Sequence, residues 1–386
     1  MFVTHLSLAD FRSYAAVDVP LAPGVTVFIG ANGQGKTNLI EAVEYVATLG
    51  SHRVAAEAPL IRSDADKALV RARIQAGIDD PRQLVAEIEL LPGRANKASL
   101  NRAPLRRPRD LLGSLRVVVF SPEDLAIVKG DPAERRRFLD DLVVSRWPRL
   151  SGVRQDYDRV LRQRSALLKS LSGRRTRVVT PEVSATLGVW DESLARLGAE
   201  ITHARVVTLA DIAPALADAY ADIAPTRDRV AAMYKSSVDV SAESTPDELA
   251  GVLLTHMAER RGEEVARGVS LVGPHRDDVT LTIGDLPAKG YASHGESWSL
   301  ALALKLASFA LLRADGVEPV LLLDDVFAEL DETRRERLAA RIMSAEQVLI
   351  TAAVPGDVPA QLDGSRFEVA NGTVTAVVPA GGRVSS

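Results

Sequence analysis

Cysteine is absent from all 386 residues, which removes disulfides, thiolate zinc sites and cysteine nucleophiles. Six histidines remain, none in a metal-ligand spacing such as HExxH, so a metal ion would have to be held by oxygen atoms. Aromatic residues are only 4% of the chain, too few for a row of base-stacking platforms. No run of about 18 apolar residues occurs, and Met1-Phe-Val-Thr-His-Leu6 lacks the basic and apolar regions of a signal peptide. A cytoplasmic chain with no membrane partner is expected. An excess of either charge is also lacking: 47 Lys and Arg against 51 Asp and Glu give a net charge of −4, so any affinity for nucleic acid must come from local patches. With 46% apolar residues, a chain of this length can bury a large core in two or three domains.

What is present begins with a strand-like run, Val25-Thr-Val-Phe-Ile29, leading into Gly30-Ala-Asn32-Gly33-Gln-Gly35-Lys36-Thr37. This is the complete GxxxxGK[ST] phosphate loop, and Leu39, Ile40, Val43 and Val46 follow at helical spacing. The glycines let backbone amides turn toward a phosphate at the positive end of a helix. Lys36 would reach the β and γ phosphates of ATP, and the Thr37 hydroxyl would ligate Mg2+. The partner acid is far along the chain, in Pro319-Val-Leu-Leu-Leu-Asp324-Asp325. Asp324 would hold the metal and Asp325 would face the attacking water. An Asp-Asp pair after a strand also suits a turn or helix cap. The separation of loop and doublet means that a large insertion divides one nucleotide-binding sheet.

Tyr291-Ala-Ser293-His-Gly295-Glu296 precedes an apolar helix, placing Ser293 and Gly295 where a γ-phosphate can be gripped. The same residues read equally as a helix cap. The pattern resembles the signature motif of the ABC ATPase superfamily. Glu329-Leu-Asp331 is similar to that superfamily's D-loop, and Gln347-Val-Leu-Ile-Thr351 falls where its switch strand lies. In that superfamily the signature of one subunit closes on ATP held by the other, which implies a homodimer. Between Asp124 and about Gly268 the pattern is helical, and Thr245-Pro-Asp-Glu248 is a capping box. Short helices broken at Pro148, Pro181, Pro214 and Pro225 are expected there. No sustained heptad occurs, which disfavours the long-armed relatives of such ATPase heads.

Together with this loop, the segments Leu6-Ser-Leu-Ala-Asp-Phe-Arg12-Ser, FSPEDL (120–125), GDPAERRRFLD (130–140), GPHRDD (273–278) and LLLDDVFAELD (321–331) resemble the RecF family of bacterial recombination mediator ATPases. That resemblance implies an α/β fold: an ABC-type ATPase head built from N- and C-terminal segments with an inserted compact α-helical lobe. The expected division is 1–124, first half of the head; 125–268, helical lobe; 269–378, second half; and 379–386, a disordered tail. It also implies weak DNA-dependent hydrolysis of ATP, ATP-dependent dimerisation on double-stranded or gapped DNA, and cooperation with RecR and RecO in loading RecA. Residue by residue, Gly30, Asn32, Gly33, Gly35, Lys36 and Thr37 fall on the family's phosphate loop, and Arg12 is placed to approach the nucleotide. Ser293, Gly295 and Glu296 fall on the signature, with Asp324, Asp325 and Asp331 on the metal, water and D-loop positions. Asp325, where most ABC ATPases have Glu, and Thr351, where transporters have His, imply slow hydrolysis. A transporter subunit or a small-acceptor phosphotransferase would leave the insertion or the signature unexplained.

Two basic stretches are candidate DNA contacts. Residues 94–109 carry Arg94, Lys97, Arg102, Arg106, Arg107 and Arg109 without an acid, on an expected hairpin. Residues 134–177 carry thirteen Arg or Lys against five acids, so they serve either as a solvated helix face or as a binding surface, and Arg135–Arg137 could instead meet a partner subunit. His5, His203 and His256 read as ordinary residues of regular elements, His294 lies inside the signature, and Trp190, Met233 and Met257 are expected to pack the lobe.

Overall fold

In the computed structural model, residues 1–54, 56–172, 181–224 and 228–377 are described. They divide into two units, Met1–Ala126 with Ala215–Asp228 and Ser293 onward, and Ile127–Pro214 with Arg229–Ala292.

The first unit contains two six-stranded sheets. One is antiparallel and built from neighbours in sequence: β1 (Phe2–Phe11), β2 (Tyr14–Pro20), β4 (Ala68–Gln75), β5 (Gln83–Leu90), β6 (Lys97–Leu100) and β7 (Ala103–Pro104). Its strands alternate buried and exposed positions, as in β4, whose Val70, Ala72 and Ile74 face the core. The other sheet draws on both ends of the chain, in the order β15-β14-β3-β13-β12-β8. These are β3 (Gly24–Ile29), β8 (Val117–Phe120), β12 (Val320–Asp324), β13 (Gln347–Ala352), β14 (Ser365–Ala370) and β15 (Thr373–Ala376). All its pairings are parallel except β14 with β15. Continuous burial of β12 and β13 explains why neither strand alternates apolar and polar residues. Helix α1 (Lys36–Thr48) packs Leu39, Ile40, Val43 and Val46 into the core between the sheets.

Helix α8 (His294–Ala314) is long and apolar enough to cross a membrane by length and composition, yet it is a core helix of this unit, with Leu300, Leu304, Ala307 and Phe309 among its buried side chains. Helix α9 (Glu332–Ile342) completes the unit.

The second unit holds α3 (Pro132–Arg146), α4 (Leu150–Ser172), α6 (Pro246–Arg267), the short α7 (Ala288–Tyr291) and a three-stranded antiparallel sheet, β9 (Val230–Lys235), β10 (Asp278–Ile283) and β11 (Leu286–Pro287). The short α2 (Leu125–Lys129) spans the first boundary in sequence. The apolar cluster of the second unit joins Tyr157 of α4, Leu194, Leu197 and Ile201 of α5 (Pro181–Ile223), and Leu253 and Met257 of α6. The division differs from the expected lobe of 125–268 at two places. Residues 278–283 pair with β9, which draws the segment to Ala292 into this unit, and Ala215 and Ala219 line a hollow with Leu306 and Phe309 of α8, which assigns 215–228 to the first unit.

The expected short helices are corrected by α5, a single 43-residue helix with Pro214 inside it. Proline removes one main-chain hydrogen bond, but Ile212, Leu216 and Tyr220 on either side are fully buried, and that packing carries the helix through. Met233 is also corrected: it is 53% exposed, because β9 is an edge strand with that position facing outward, whereas Met257 is buried as expected. Trp190 packs against Leu168 and Leu187. The expected break at Pro225 and the tail at 379–386 lie outside the described residues.

Candidate nucleotide-binding site

The loop leaves β3 at Ile29, and its glycines are required by local geometry. A side chain at Gly30 would be driven into the main-chain carbonyl of Val369 on β14. Gly33 and Gly35 have φ of 82° and 109°, the left-handed region that glycine tolerates. Tyr14 wedges the loop from behind, its hydroxyl donating to the Gly35 carbonyl at 3.1 Å. Lys36, the first residue of α1, is 3% exposed, and its Nζ makes two long hydrogen bonds, to the Ala31 carbonyl and Asn32 Oδ1, each at 3.4 Å. A buried ammonium with two long, neutral contacts at a helix N-terminus fits a phosphate group.

Strand order brings the acids to this loop, since β13 lies between β3 and β12 and places Thr351 opposite both Asp324 and Phe28. Thr37 Oγ1 donates to Asp324 Oδ1 at 2.8 Å, and Thr351 Oγ1 donates to the same oxygen at 2.7 Å. The Asp325 amide in turn donates to Thr351 Oγ1 at 2.9 Å, so one threonine ties the acidic doublet together. Asp325 sits at φ 50°, a left-handed turn that points it away from the strand direction. Burial alone would raise the Asp324 pKa, but the neighbouring His52 together with the hydrogen bonds from Thr351 and Thr37 lower it below the ordinary carboxylate value. Burial raises that of Asp325, with the Lys36 charge acting in the opposite direction.

His52, Glu44 and Arg53 complete the surroundings, and no motif marks them in the sequence. His52 Nδ1 meets Glu44 Oε2 at 2.6 Å, and its Nε2 lies 3.5 Å from Asp324 Oδ2, an ion pair too long for a full hydrogen bond. Burial would lower the imidazole pKa, but Asp324 and Glu44 outweigh it and raise it to about 10. Among the described residues no group of three or more metal-ligating side chains occurs. Thr37 and Asp324 therefore suit a cation that keeps water and phosphate oxygens as its other ligands, as Mg2+ does. Arg12 makes a bidentate pair with Glu41 of α1 at 2.8 and 2.5 Å and also donates to the Pro59 carbonyl, bracing the helix beside the loop.

The signature residues form a second cluster with the D-loop residue. Ser293 caps α8, accepting from the Glu296 amide at 3.2 Å while Glu296 Oε2 accepts from the Ser293 amide at 2.8 Å. Asp331 caps α9 through the Arg334 amide at 2.9 Å, and the Arg334 guanidinium reaches Asp331, Ser299 and the face of Gly295. The helix-cap reading of these residues thus holds, with Ser293, Gly295 and Glu296 at the solvent-facing start of a long buried helix.

Comparison with known proteins decides the lineage. The family model for the RecF/RecN/SMC N terminal domain matches residues 2–360. The DNA replication and repair protein RecF of Cutibacterium acnes is 59% identical over 388 residues, covering 97% of this chain and 98% of its own. This chain belongs to the RecF family. RecF of Streptomyces avermitilis is 57% identical, over 98% of this chain and the whole of its own. A solved structure of "the recombination mediator protein RecF-ATPrS in RecFOR pathway" superposes with a TM-score of 0.87 at 26% identity, over 98% of each chain. The Smc head solved with the C-winged helix domain of ScpA, at 17% identity and a TM-score of 0.56, shares the fold.

In this RecF-family chain the two basic stretches differ in how their charges are used. Between Ile127 and Ala292 the arginines are largely matched: Arg135 is bidentate to Asp278, Arg146 meets Asp211, Arg149 meets Glu200, and Arg164 is buried between Asp191 and Glu264. Arg136 donates to the Asp277 carbonyl, so Arg135 and Arg136 tie elements of their own unit together. The hairpin of β6 and β7 is different. Asn101 and Arg102 form its two-residue turn at φ 51° and 69°, between the paired Leu100 and Ala103. Arg94, Arg102, Arg106 and Arg107 are exposed, and the side chains of Arg94, Arg102 and Arg106 meet no acid among the described residues. Lys97 pairs loosely with Glu89 at 3.7 Å, and Arg109 is half-buried.

Proposed function

We propose that this protein is an ATP-gated DNA-binding protein of recombinational repair, acting in the cytoplasm as a head-to-tail pair. The observation that carries the reading is the 2.8 Å bond from Thr37 to Asp324, which joins the phosphate loop to the acidic doublet across 287 residues of sequence. ATP with Mg2+ supplies a phosphoryl group for transfer to water. The loop amides from Gly30 to Gly35 and Lys36 hold the phosphates, while Thr37 and Asp324 hold the metal. Asp325, with its pKa raised by burial, stands ready to accept a proton from water. Being one methylene shorter than Glu, it makes slow hydrolysis the expected outcome, suited to a timed clamp, and dependence on DNA is proposed from the family.

In this reading the exposed Ser293 and the half-buried Gly295 and Glu296 of one copy complete the site of the other, and the closed pair grips double-stranded or gapped DNA. The hairpin supports that grip, because an arginine in a left-handed turn position costs about 1 kcal/mol relative to glycine, and no acid among the described residues pairs with its charge. Cooperation with RecR and RecO in loading RecA follows from the family. The test is dimerisation and binding to gapped DNA, with and without ATP, in wild type, Lys36→Ala and Ser293→Arg. ATP should promote both in wild type; Lys36→Ala should lose both with its nucleotide; Ser293→Arg should bind ATP and stay monomeric. Behaviour independent of ATP in all three proteins would refute the reading.

A further inference from the structure

We infer that Arg334 is a positioning residue that locks the Asp331 loop to the first turns of α8, so that both segments meet a second copy as one rigid surface. The lock is visible within a single chain. One carboxylate oxygen of Asp331 accepts from the Arg334 amide at 2.9 Å, and the other accepts from its guanidinium, Nη1. The remaining reach of that guanidinium crosses to another helix: Nε donates to Ser299 Oγ at 3.0 Å, and Ser299 is fully buried on α8.

The Nη2 end of the group then lies against Gly295. A Cβ at that position would stand 2.7 Å from Nη2, 3.3 Å from Cζ and 3.4 Å from Nη1, so the glycine is what admits the guanidinium. Arg334 is only 16% exposed, whereas the Asp331 side chain stays 52% exposed. A simple pair between neighbours on a helix would leave the arginine in solvent and would not involve α8. Three partners on two elements need the planar fork of arginine, which lysine cannot reproduce.

Gly295 therefore leaves room for Arg334 on its inner side, while its outer side would meet a phosphate only in the proposed two-copy reading. The consequence for pairing rests on the proposed two-copy function; the lock itself does not. It predicts that disturbing Arg334 changes α8 at a distance. In the monomer, Arg334→Gln should leave ATP affinity unchanged and speed amide hydrogen exchange across residues 294–299 on the order of tenfold, with Arg334→Lys failing to restore protection. Unchanged exchange in that segment, or full rescue by lysine, would overturn the lock.

Mixing supplies a second readout. Arg334→Gln and Lys36→Ala should each fail to pair on ATP alone, yet their mixture should pair, because one of its two faces joins an intact loop to an intact signature. Failure of the mixture, where wild type does pair, would also overturn the inference. If wild type itself does not pair on ATP, the two-copy reading fails, and the exchange measurement alone decides the lock.

Discussion

Replacing Thr351 with valine keeps the shape of a buried side chain and deletes one hydroxyl. That hydroxyl donates to Asp324 at 2.7 Å and accepts from the Asp325 amide at 2.9 Å. A hydrogen bond to a charged group contributes about 1.5–3 kcal/mol, and an amide left without a partner costs about 1–3 kcal/mol. The two losses share one site and do not simply add, so Thr351→Val should lower unfolding stability by about 3 kcal/mol. Urea unfolding of the metal-free protein measures this. The pH dependence has a defined sign: Asp324 is held below its ordinary value of 3.8, so the stability it confers is present above that pH and lost as pH falls through the folded value. The gap between wild type and variant should be widest near neutrality and narrow in acid. Because Thr351 orients the carboxylate proposed to hold Mg2+, Mg2+-dependent ATP affinity should also fall, by at least about tenfold. Thr351→Ser should recover most of both effects. A valine variant with wild-type stability and wild-type Mg2+ dependence would refute the role assigned to β13.

Arg164 is 1% exposed between the fully buried Asp191 and Glu264, so Arg164→Ala should destabilise the protein by about 3–5 kcal/mol in thermal or urea unfolding, and a loss below 1 kcal/mol would contradict the buried triad. His275, hydrogen-bonded to Tyr157, has its pKa lowered to about 4, chiefly by burial. Its neutral form is favoured on folding, so that contribution is complete above pH 6.5 and lost between 6.5 and 4, amounting to about 3 kcal/mol that His275→Gln should remove from the pH profile. For the hairpin, replacing Arg94, Arg102 and Arg106 together by alanine should reduce the salt slope of DNA binding by roughly 2–3, read from affinities at several salt concentrations, with folding unchanged. An unaltered slope would move the DNA interface elsewhere.

The loop and the acidic doublet were legible because each is a contiguous motif on an apolar strand, and a sheet topology that closes them is one of few that fit. The order of those strands was not written in either motif; β13 sits between them through main-chain pairing of sequences that look alike. His52 and Arg334 escaped notice because each acts across space on a residue of another element, and neither is part of a spacing that chemistry demands. Pro214 misled for the opposite reason: a strong local rule gives way where flanking side chains are buried deeply enough. The count of arginines in 134–177 likewise said nothing about which of them find acids, since partners such as Asp278 and Glu264 lie a hundred or more residues away.

The placement of β3 between β13 and β14 has a consequence for biosynthesis. The antiparallel sheet is complete in sequence by Pro104 and is free to form while translation continues. The phosphate loop is made early too, but both strands that flank its own strand come from residues 347–370. A ribosome must therefore deliver nearly the whole polypeptide before the loop acquires walls, and a chain terminated prematurely after α9 would carry every motif residue from Gly30 to Asp331 without a site to put them in.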